Sequence, residues 1–77
     1  MTNPDRQSQF DTASSKLIAW SKEPDSAGWH MELYKTKFGG YFMRYGYENG
    51  KHFLKELSRQ EAHEMYRILP TKLPSKF

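Results

Sequence analysis

Apolar and polar residues alternate along the middle of this chain in short runs of the kind that form β-strands. The runs lie at residues 16–22, 29–36, 41–48 and 51–57, and the last two are rich in aromatic side chains. Between the runs stand glycine, proline, asparagine and serine, which favour turns. Short alternating or aromatic-rich runs bounded by such residues predict four strands.

An Asn-Gly pair at positions 49 and 50 joins the third and fourth predicted strands. This pair is the strongest signal for a two-residue type I′ hairpin turn, in which both central residues have positive φ. A two-residue loop places Arg44 opposite Lys55 and Tyr45 opposite Leu54. Because residues directly opposite each other share a face, Arg44 and Lys55 are predicted to form a like-charge pair.

A helix is predicted at about residues 59–69, directly after the fourth strand. Ser58 and Glu61 have the spacing of a capping box, in which each side chain accepts a hydrogen bond from the other residue's backbone N–H. An apolar stripe follows at helical spacing, formed by Ala62, Met65, Tyr66 and Leu69. Pro70 ends the helix. The predicted fold class is therefore α+β, a four-stranded antiparallel β-meander followed by one C-terminal helix (ββββα).

The two ends of the chain are predicted to lie outside the folded domain. The polar residues 1–15 bury too little apolar surface to offset their ordering entropy, so a flexible N-terminal tail is predicted there. Residues 16–69 form the predicted single ββββα domain, and residues 70–77 a short C-terminal tail. A folded part of about 55 residues is near the lower limit for a domain that is stable alone. A homodimer is therefore expected.

The composition limits the kinds of site and compartment. The chain has no cysteine, so disulfides and thiolate metal ligands are excluded and a reducing, cytoplasmic setting is expected. No apolar run has the length of a signal-peptide core or a membrane span, so no membrane partner is expected. Twelve Lys and Arg residues against nine Asp and Glu residues give a net charge of +3, a mild bias that is compatible with polyanion binding.

Basic and aromatic side chains share one predicted face of the sheet. If the loop containing Gly39 and Gly40 has an even length, Lys35 joins Arg44 and Lys55 in a like-charge row; an odd length reverses that assignment. The candidate nucleic-acid-binding residues are Lys35, Lys37, Arg44, Lys51, Lys55, Trp29, Phe42 and Phe53. Cations follow phosphates and rings stack on unpaired bases, so this composition favours single-stranded DNA or RNA as the partner. The alternative is that the lysine stems cover a core and the rings pack inward.

Residue types needed for catalysis or metal binding are scattered. The three histidines, His30, His52 and His63, have no metal-ligand spacing, although His52 and Glu56 on one strand make half of a site. No nucleophile elbow, phosphate-binding loop or paired-carboxylate pattern occurs. The sequence therefore predicts a non-enzymatic binding protein with no metal and no cofactor. The second hypothesis is a protein–protein interaction module, such as a phage or mobile-element regulator or inhibitor, that uses an exposed aromatic face or a free sheet edge.

Several short motifs accompany the order ββββα. They are Lys16-Leu17 on the first strand, Gly28-Trp29 and Glu32-Leu33 on the second, Tyr41 and Arg44 on the third, and Leu57-Ser58-Arg59-Gln60-Glu61 before the helix. In this pattern, over about residues 16–69, the chain resembles the transcriptional positive cofactor four family of single-stranded DNA-binding proteins. The chain departs from the family at Asn49-Gly50, where the family has a longer connection.

The resemblance implies a curved, saddle-like sheet and a homodimer formed partly by the helices. It also implies a grip on unpaired strands by basic and aromatic side chains of the sheet. For this chain, the resemblance implies that Lys35, Arg44 and Lys55 contact phosphates. It also implies that Trp29, Phe42 or Phe53 stacks on bases.

Overall fold

The computed structural model describes residues 11–21, 23–24 and 26–75. Its elements in chain order are β1 (Lys16–Trp20), β2 (Trp29–Lys35), β3 (Tyr41–Tyr47), β4 (His52–Leu57), α1 (Arg59–Ile68) and β5 (Thr71–Lys72). The strands form one antiparallel sheet in the order β4-β3-β2-β1-β5. The predicted α+β class and ββββα order are confirmed, with one short strand added after the helix. Most of the predicted N-terminal tail, residues 1–10, lies outside the described residues.

The β2–β3 hairpin closes with a three-residue loop. The N–H of Thr36 donates to the carbonyl of Gly40 (2.8 Å), which leaves Lys37, Phe38 and Gly39 between them. Gly39 has a φ of 85°, a conformation that glycine adopts at little cost. The buried Thr36 hydroxyl accepts hydrogen bonds from the N–H groups of Phe38 (3.2 Å) and Gly40 (2.9 Å) and so holds the loop. The loop has an odd length, the case that reverses the predicted face of Lys35.

The β3–β4 hairpin closes in the same way. The N–H of Tyr47 donates to the carbonyl of Lys51 (2.7 Å), which leaves Glu48, Asn49 and Gly50 between them. Gly50 has a φ of 93°, whereas every non-glycine residue in the described chain, Asn49 included, has a negative φ. Asn49 instead accepts a hydrogen bond from the N–H of Lys51 with its side-chain oxygen (2.9 Å). The predicted type I′ turn is therefore wrong, because an Asn-Gly pair also suits the last two positions of a three-residue loop.

The three-residue loop shifts the β3–β4 register by one residue from the predicted one, and the odd β2–β3 loop is the alternative that sets Lys35 on the other face from Arg44. Arg44 lies opposite Leu54 on β4 and Glu32 on β2, and Lys55 lies opposite Met43. The predicted pairing of Arg44 with Lys55 is wrong, and so is that of Tyr45, which lies opposite Phe53. A one-residue slip moves each side chain of a strand to the other face of the sheet relative to its neighbours.

The two faces of the sheet have different residues from those expected. The helix-side face carries Trp29, Met31, Leu33, Lys35, Tyr41, Met43, Tyr45, Tyr47, Phe53, Lys55 and Leu57. The far face carries His30, Glu32, Tyr34, Phe42, Arg44, Gly46, His52, Leu54 and Glu56. The predicted like-charge row is therefore broken: Lys35 and Lys55 share the helix-side face, but Arg44 lies on the far face.

Helix α1 packs on the helix-side face at the end where β4 finishes. The buried core consists of Ile18, Ala19, Leu33, Tyr41, Met43, Leu57, Ala62 and Leu69, with Met65 and Tyr66 packed against it. The predicted apolar stripe of the helix is confirmed. The capping box is confirmed as well: Ser58 Oγ accepts from the N–H of Glu61 (3.1 Å), and the Glu61 carboxylate accepts from the N–H of Ser58 (2.8 Å).

An irregularity in β1 brings consecutive apolar residues into the core. Leu17 pairs with Tyr34 and Ala19 pairs with Leu33, so Ile18 is the extra residue of a β-bulge. Ile18 and Ala19 are both fully buried. The bulge explains why the apolar run of this strand does not alternate.

Strand β5 extends the sheet beside β1. Thr71 of β5 lies opposite Trp20, in antiparallel pairing. The prediction that residues 70–77 form a tail is wrong for β5, because its pairing partner stands near the other end of the sequence. Pro70 and Pro74 flank β5, and neither has an N–H for further pairing. Within the described residues, no helix is long and apolar enough to cross a membrane.

Candidate functional site

Four aromatic rings contact one another on the helix-side face, at the end of the sheet farther from the start of α1. They belong to Trp29 of β2, Tyr45 and Tyr47 of β3, and Phe53 of β4. Phe53 stacks on Tyr45 with ring centroids 4.8 Å apart and an interplanar angle of 18°. Trp29 makes edge contacts with Tyr47 (4.9 Å, 61°) and Phe53 (5.4 Å, 74°). Adjacent rings on three paired strands form a continuous aromatic surface.

The aromatic surface is open to solvent at its β4 side. The Phe53 side chain is 49% exposed and Tyr47 is 37% exposed, while Trp29 and Tyr45 are half-buried. Tyr45 also packs against the core cluster, which ties the exposed rings to the rigid part of the domain. A planar ring that is half exposed and held by its neighbours can accept a second ring on its free side.

Gly28 makes room for one of these rings. Its φ is +87°, and a Cβ at this position would lie 3.0 Å from Cε1 of Tyr47. A larger residue would therefore both strain the backbone and displace the Tyr47 ring. In the sequence, Gly28 stands only as a turn residue before the second predicted strand and gives no sign of this close packing.

Two lysines flank the exposed phenylalanine. Lys51 bonds through its carbonyl to Tyr47 at the turn, and Lys55 lies on the helix-side face two residues after Phe53. Both lysines are exposed. We call Trp29, Tyr45, Tyr47, Lys51, Phe53 and Lys55 the aromatic–basic patch. It combines four of the predicted site residues with two residues outside that prediction, Tyr45 and Tyr47.

Two predicted site residues lie elsewhere, on the far face. Arg44 makes an ion pair with Glu32, which lies directly opposite (3.2 Å), and its guanidinium passes over Gly46, where a Cβ would lie 3.1 Å from Nη1. Phe42 is fully buried and stacks on Tyr34 with centroids 5.0 Å apart and an angle of 7°. The prediction that these two residues share a binding face with Lys55 is wrong, because the shifted register reverses their orientation.

The Glu32 carboxylate is shared between two partners on the far face. Besides the ion pair with Arg44, it accepts a hydrogen bond from the Tyr34 hydroxyl (3.1 Å). Burial raises the pKa of Tyr34, the charge of Glu32 and the hydrogen bond to it raise that pKa further, and the charge of Arg44 lowers it. Both members of the ion pair are about one-third exposed, so the pair contributes modestly to stability.

The remaining predicted cations, Lys35 and Lys37, lie near the β2–β3 loop, away from the aromatic–basic patch. The Lys35 ammonium is 5.9 Å from the centre of the Tyr41 ring, and that of Lys37 is 5.3 Å from the Phe38 ring. Together with Lys16, which lies opposite Lys35, they line an open depression of about 690 Å³. Three lysines around one depression attract anions, so the domain has a second, separate basic region.

Metal-ligating residue types do not cluster in the described part of the chain. No group of three or more His, Cys, Asp or Glu side chains there could hold a metal ion. His52 and Glu56 do share the far face of β4, as the sequence suggested for half of a site.

Comparison of the chain with protein-family models, with curated proteins and with solved structures finds no match.

Proposed function

We propose that this protein binds single-stranded nucleic acid, DNA or RNA, through the aromatic–basic patch. The observation that carries the proposal is the setting of Phe53: its ring is half exposed, is backed by Tyr45 and Trp29, and stands between Lys51 and Lys55. Rings held on a rigid sheet stack on unpaired bases, and neighbouring cations meet the phosphates.

The chemistry of the patch favours tolerance of base sequence. Every base has a π-face, and stacking on an aromatic side chain contributes about 1–3 kcal/mol per base. The six patch residues supply rings and ammonium groups, which do not read base edges as a bidentate arginine or asparagine does. The protein acts as a non-enzymatic binder in this proposal, and we propose the cytoplasm as its compartment because the chain contains no cysteine for a disulfide.

The stacking half of the proposal is tested by a pair of phenylalanine substitutions. Phe53→Ala is expected to weaken binding to a fluorescently labelled single-stranded oligonucleotide by about tenfold, because one stacked base is lost. Phe38→Ala is the matched control: Phe38 is 68% exposed but lies in the β2–β3 loop, outside the patch. Equal losses from both variants would contradict the assignment of the site.

The electrostatic half is tested by a pair of charge-neutralising substitutions. Lys55→Gln is expected to weaken binding and to reduce its dependence on salt between about 50 mM and about 200 mM, because one phosphate contact is removed. Arg44→Gln removes the same charge from the far face and is expected to leave binding close to wild type. Salt-independent binding, or no binding at about 50 mM salt, would remove the proposed function.

A second candidate function, a protein–protein interaction module, is favoured by β4. This strand lies at the edge of the sheet and exposes Leu54, which is 41% accessible, on the face opposite to Phe53. A partner that adds a strand to β4 is expected to protect its backbone amides from hydrogen exchange, and Arg44→Gln and Lys55→Gln are both expected to leave such binding intact. Nucleic acid that occupies the patch leaves Leu54 accessible.

A further inference from the structure

The β2–β3 loop holds one aromatic ring out in the solvent in a fixed position. The Phe38 side chain is 68% exposed, more than that of Phe53 (49%). The loop is ordered by Thr36, whose carbonyl accepts from the N–H of Gly39 (3.1 Å) in addition to the three hydrogen bonds described above. A Cβ at Gly39 would meet no atom of the described chain beyond its two neighbours within 4 Å, so the space around the loop is open. The ring therefore stands outside the domain on a loop that cannot easily withdraw it.

One face of the Phe38 ring is covered by a cation. The ammonium group of Lys37 lies over the ring, 5.3 Å from its centre, and occupies one of the two faces on which a base could stack. Insertion into the interfacial region of a lipid bilayer needs only an exposed apolar body. In that position the ring enters the boundary between headgroups and acyl chains, while the lysine ammonium stays among the lipid phosphates. The Lys37–Phe38 pair therefore suits a lipid surface better than a stacked base.

Basic side chains lie beside this loop, on its β1 side. Lys16, Lys35 and Lys37 all line the open depression described above. Lys16 and Lys37 are exposed. The other described residues that line the depression are uncharged and include the hydroxyl groups of Ser14 and Ser75. Exposed ammonium groups beside hydroxyl groups attract phosphate, the charged group of a phospholipid headgroup.

The exposed ring and the basic depression act at one place, because Lys37 belongs to both. Binding to a membrane surface depends on the apolar area that is inserted and on the attraction between cations and anionic lipids. The β2–β3 loop and the depression together supply both. The aromatic–basic patch is remote from this place, since β2 begins at Trp29 of the patch and ends at Lys35 of the depression.

We propose that the β2–β3 loop binds the surface of an anionic phospholipid membrane. The Phe38 ring inserts among the headgroups, and Lys16 and Lys37 contact their phosphates. The sequence-based expectation of no membrane partner was based on the lack of a long apolar run, and a surface contact does not need such a run. One ring and a few cations make the contact weak and reversible. No residue of the aromatic–basic patch takes part, so the contact is independent of the proposed function.

Co-sedimentation of the full chain with lipid vesicles tests the lipid surface. Vesicles of phosphatidylcholine with about 30% phosphatidylserine are expected to bind the chain at least about fivefold more tightly than vesicles of phosphatidylcholine alone. Equal binding to the two compositions, or no binding at about 50 mM salt, would overturn the proposal. Complete displacement by inorganic phosphate, beyond the effect of chloride at the same ionic strength, would also overturn it, because a site for free phosphate needs no lipid surface.

The position of the contact is tested by two double substitutions that remove the same charge. Lys16→Gln with Lys37→Gln is expected to weaken binding to the anionic vesicles by about tenfold or more, because each lysine near an anionic surface contributes to the attraction. Lys51→Gln with Lys55→Gln is the matched control in the aromatic–basic patch, and its effect is expected to stay below about threefold. Equal losses would mean that net charge alone governs the binding and would overturn the assignment to this loop.

The role of the ring is tested by its size and its aromaticity. Phe38→Ala is expected to weaken vesicle binding by about tenfold, and Phe38→Leu is expected to retain most of it, because insertion needs apolar area and not an aromatic face. Ile68→Ala is the matched control: Ile68 is also 68% exposed, but it ends α1. A Phe38→Leu variant as weak as Phe38→Ala would contradict insertion.

A single label at the loop gives an independent readout, because the natural chain contains no cysteine. Phe38→Cys that carries an environment-sensitive fluorophore is expected to shift its emission to shorter wavelength when the anionic vesicles are added. Phe53→Cys with the same label is the control and is expected to keep its emission. A shift at both positions, or at neither, would count against insertion of the loop.

The lipid contact and the proposed function can fail separately. Phe38→Ala is expected to lose vesicle binding and to keep oligonucleotide binding, and Phe53→Ala is expected to do the reverse. If the chain does not bind vesicles, and Lys16→Gln with Lys37→Gln weakens oligonucleotide binding, the depression belongs to the nucleic-acid surface and the lipid proposal is overturned.

Discussion

The partners of single charged residues on the sheet depend on register more than on composition. Arg44 could be expected to repel Lys55, but it lies opposite Glu32 and forms an ion pair with it. Glu32 was visible in the sequence, yet its position relative to Arg44 depends on the length of the β2–β3 loop. The one-residue difference converts an expected repulsion into an attraction.

Glycine was the most informative single residue type at this scale. Gly39 and Gly50 both end their loops with positive φ, as turn signals predict. The sequence could not say that Asn49 would stay at negative φ, because asparagine tolerates both conformations. That one backbone angle decides which face of the sheet carries Phe53.

The Tyr34–Glu32 hydrogen bond predicts a loss of stability at high pH. The pKa of Tyr34 is raised in the folded chain, chiefly by burial. The protonated Tyr34 hydroxyl therefore contributes fully to the free energy of unfolding below the ordinary pKa of 10.0, and this contribution is lost as pH rises through the raised pKa. Urea unfolding at pH 9 to pH 11 is expected to show that the wild type and Tyr34→Phe converge as pH rises.

The control for that measurement is Tyr47→Phe, since Tyr47 lies on the helix-side face, away from Glu32. In Tyr47→Phe the Tyr34–Glu32 hydrogen bond is intact, so the stability that this bond contributes is expected to be lost over the same pH range as in the wild type. If the free energies of unfolding of Tyr34→Phe and the wild type differ by the same amount at every pH, the Tyr34 hydroxyl is not held by the Glu32 carboxylate.

Whole elements were predictable where their signals are local. The helix was readable because its cap, its apolar stripe and its terminating proline are all within residues 58–70. Strand β5 could not be predicted from the sequence, because two residues show no periodic pattern and the strand that they pair with, β1, is distant in the sequence. The β1 bulge was hidden for a similar reason: only the pairing with β2 reveals that Ile18 is the extra residue.

The start of α1 gives a prediction for helix stability. Ser58→Ala is expected to lower the free energy of unfolding by about 1 kcal/mol, because the N–H of Glu61 loses its acceptor at the helix terminus. Urea unfolding at neutral pH measures the difference. Ser26→Ala, in the exposed loop before β2, is the control and is expected to stay near wild type; an equal loss there would rule out the cap as the cause.

The same cap should respond to acid. Hydrogen bonds from the backbone and side chain of Ser58 hold the pKa of Glu61 below its ordinary value of 4.5. A lowered carboxyl pKa gives stability that is present above that ordinary value and is lost as pH falls through the folded value. The difference between the wild type and Glu61→Gln is therefore expected to shrink on acidification below pH 4.5 in thermal unfolding. A constant difference would argue against a charged cap.

At the scale of the molecule, one small buried core joins the helix to the helix-side face of the sheet. The fully buried residues come from three strands of the sheet and one turn of the helix, so few side chains carry the hydrophobic stabilisation. The aromatic–basic patch extends from this core through Tyr45, which lets a half-exposed ring stay fixed without being buried. Composition alone predicted rings and cations on a sheet but not their division between two separate basic regions.

The small core predicts a large effect for a single cavity. Leu33→Ala is expected to lower the free energy of unfolding by about 2–5 kcal/mol, a large share of what a domain of this size has. Leu73→Ala makes the same chemical change at a half-exposed side chain and is expected to cost far less. The two variants are compared by their midpoints of unfolding in urea. Similar midpoints for Leu33→Ala and Leu73→Ala would mean that Leu33 is not part of a packed core.

The unequal edges of the sheet set a limit on growth. One edge is the long, proline-free β4, and the other is the two-residue β5 between Pro70 and Pro74. A sheet with two long edges can pair with further copies at both edges and polymerise into fibres. A sheet with one long edge can pair with another strand at that edge only. Because growth into a fibre needs two such edges on each copy, the protein is expected to remain free of fibrils at high concentration.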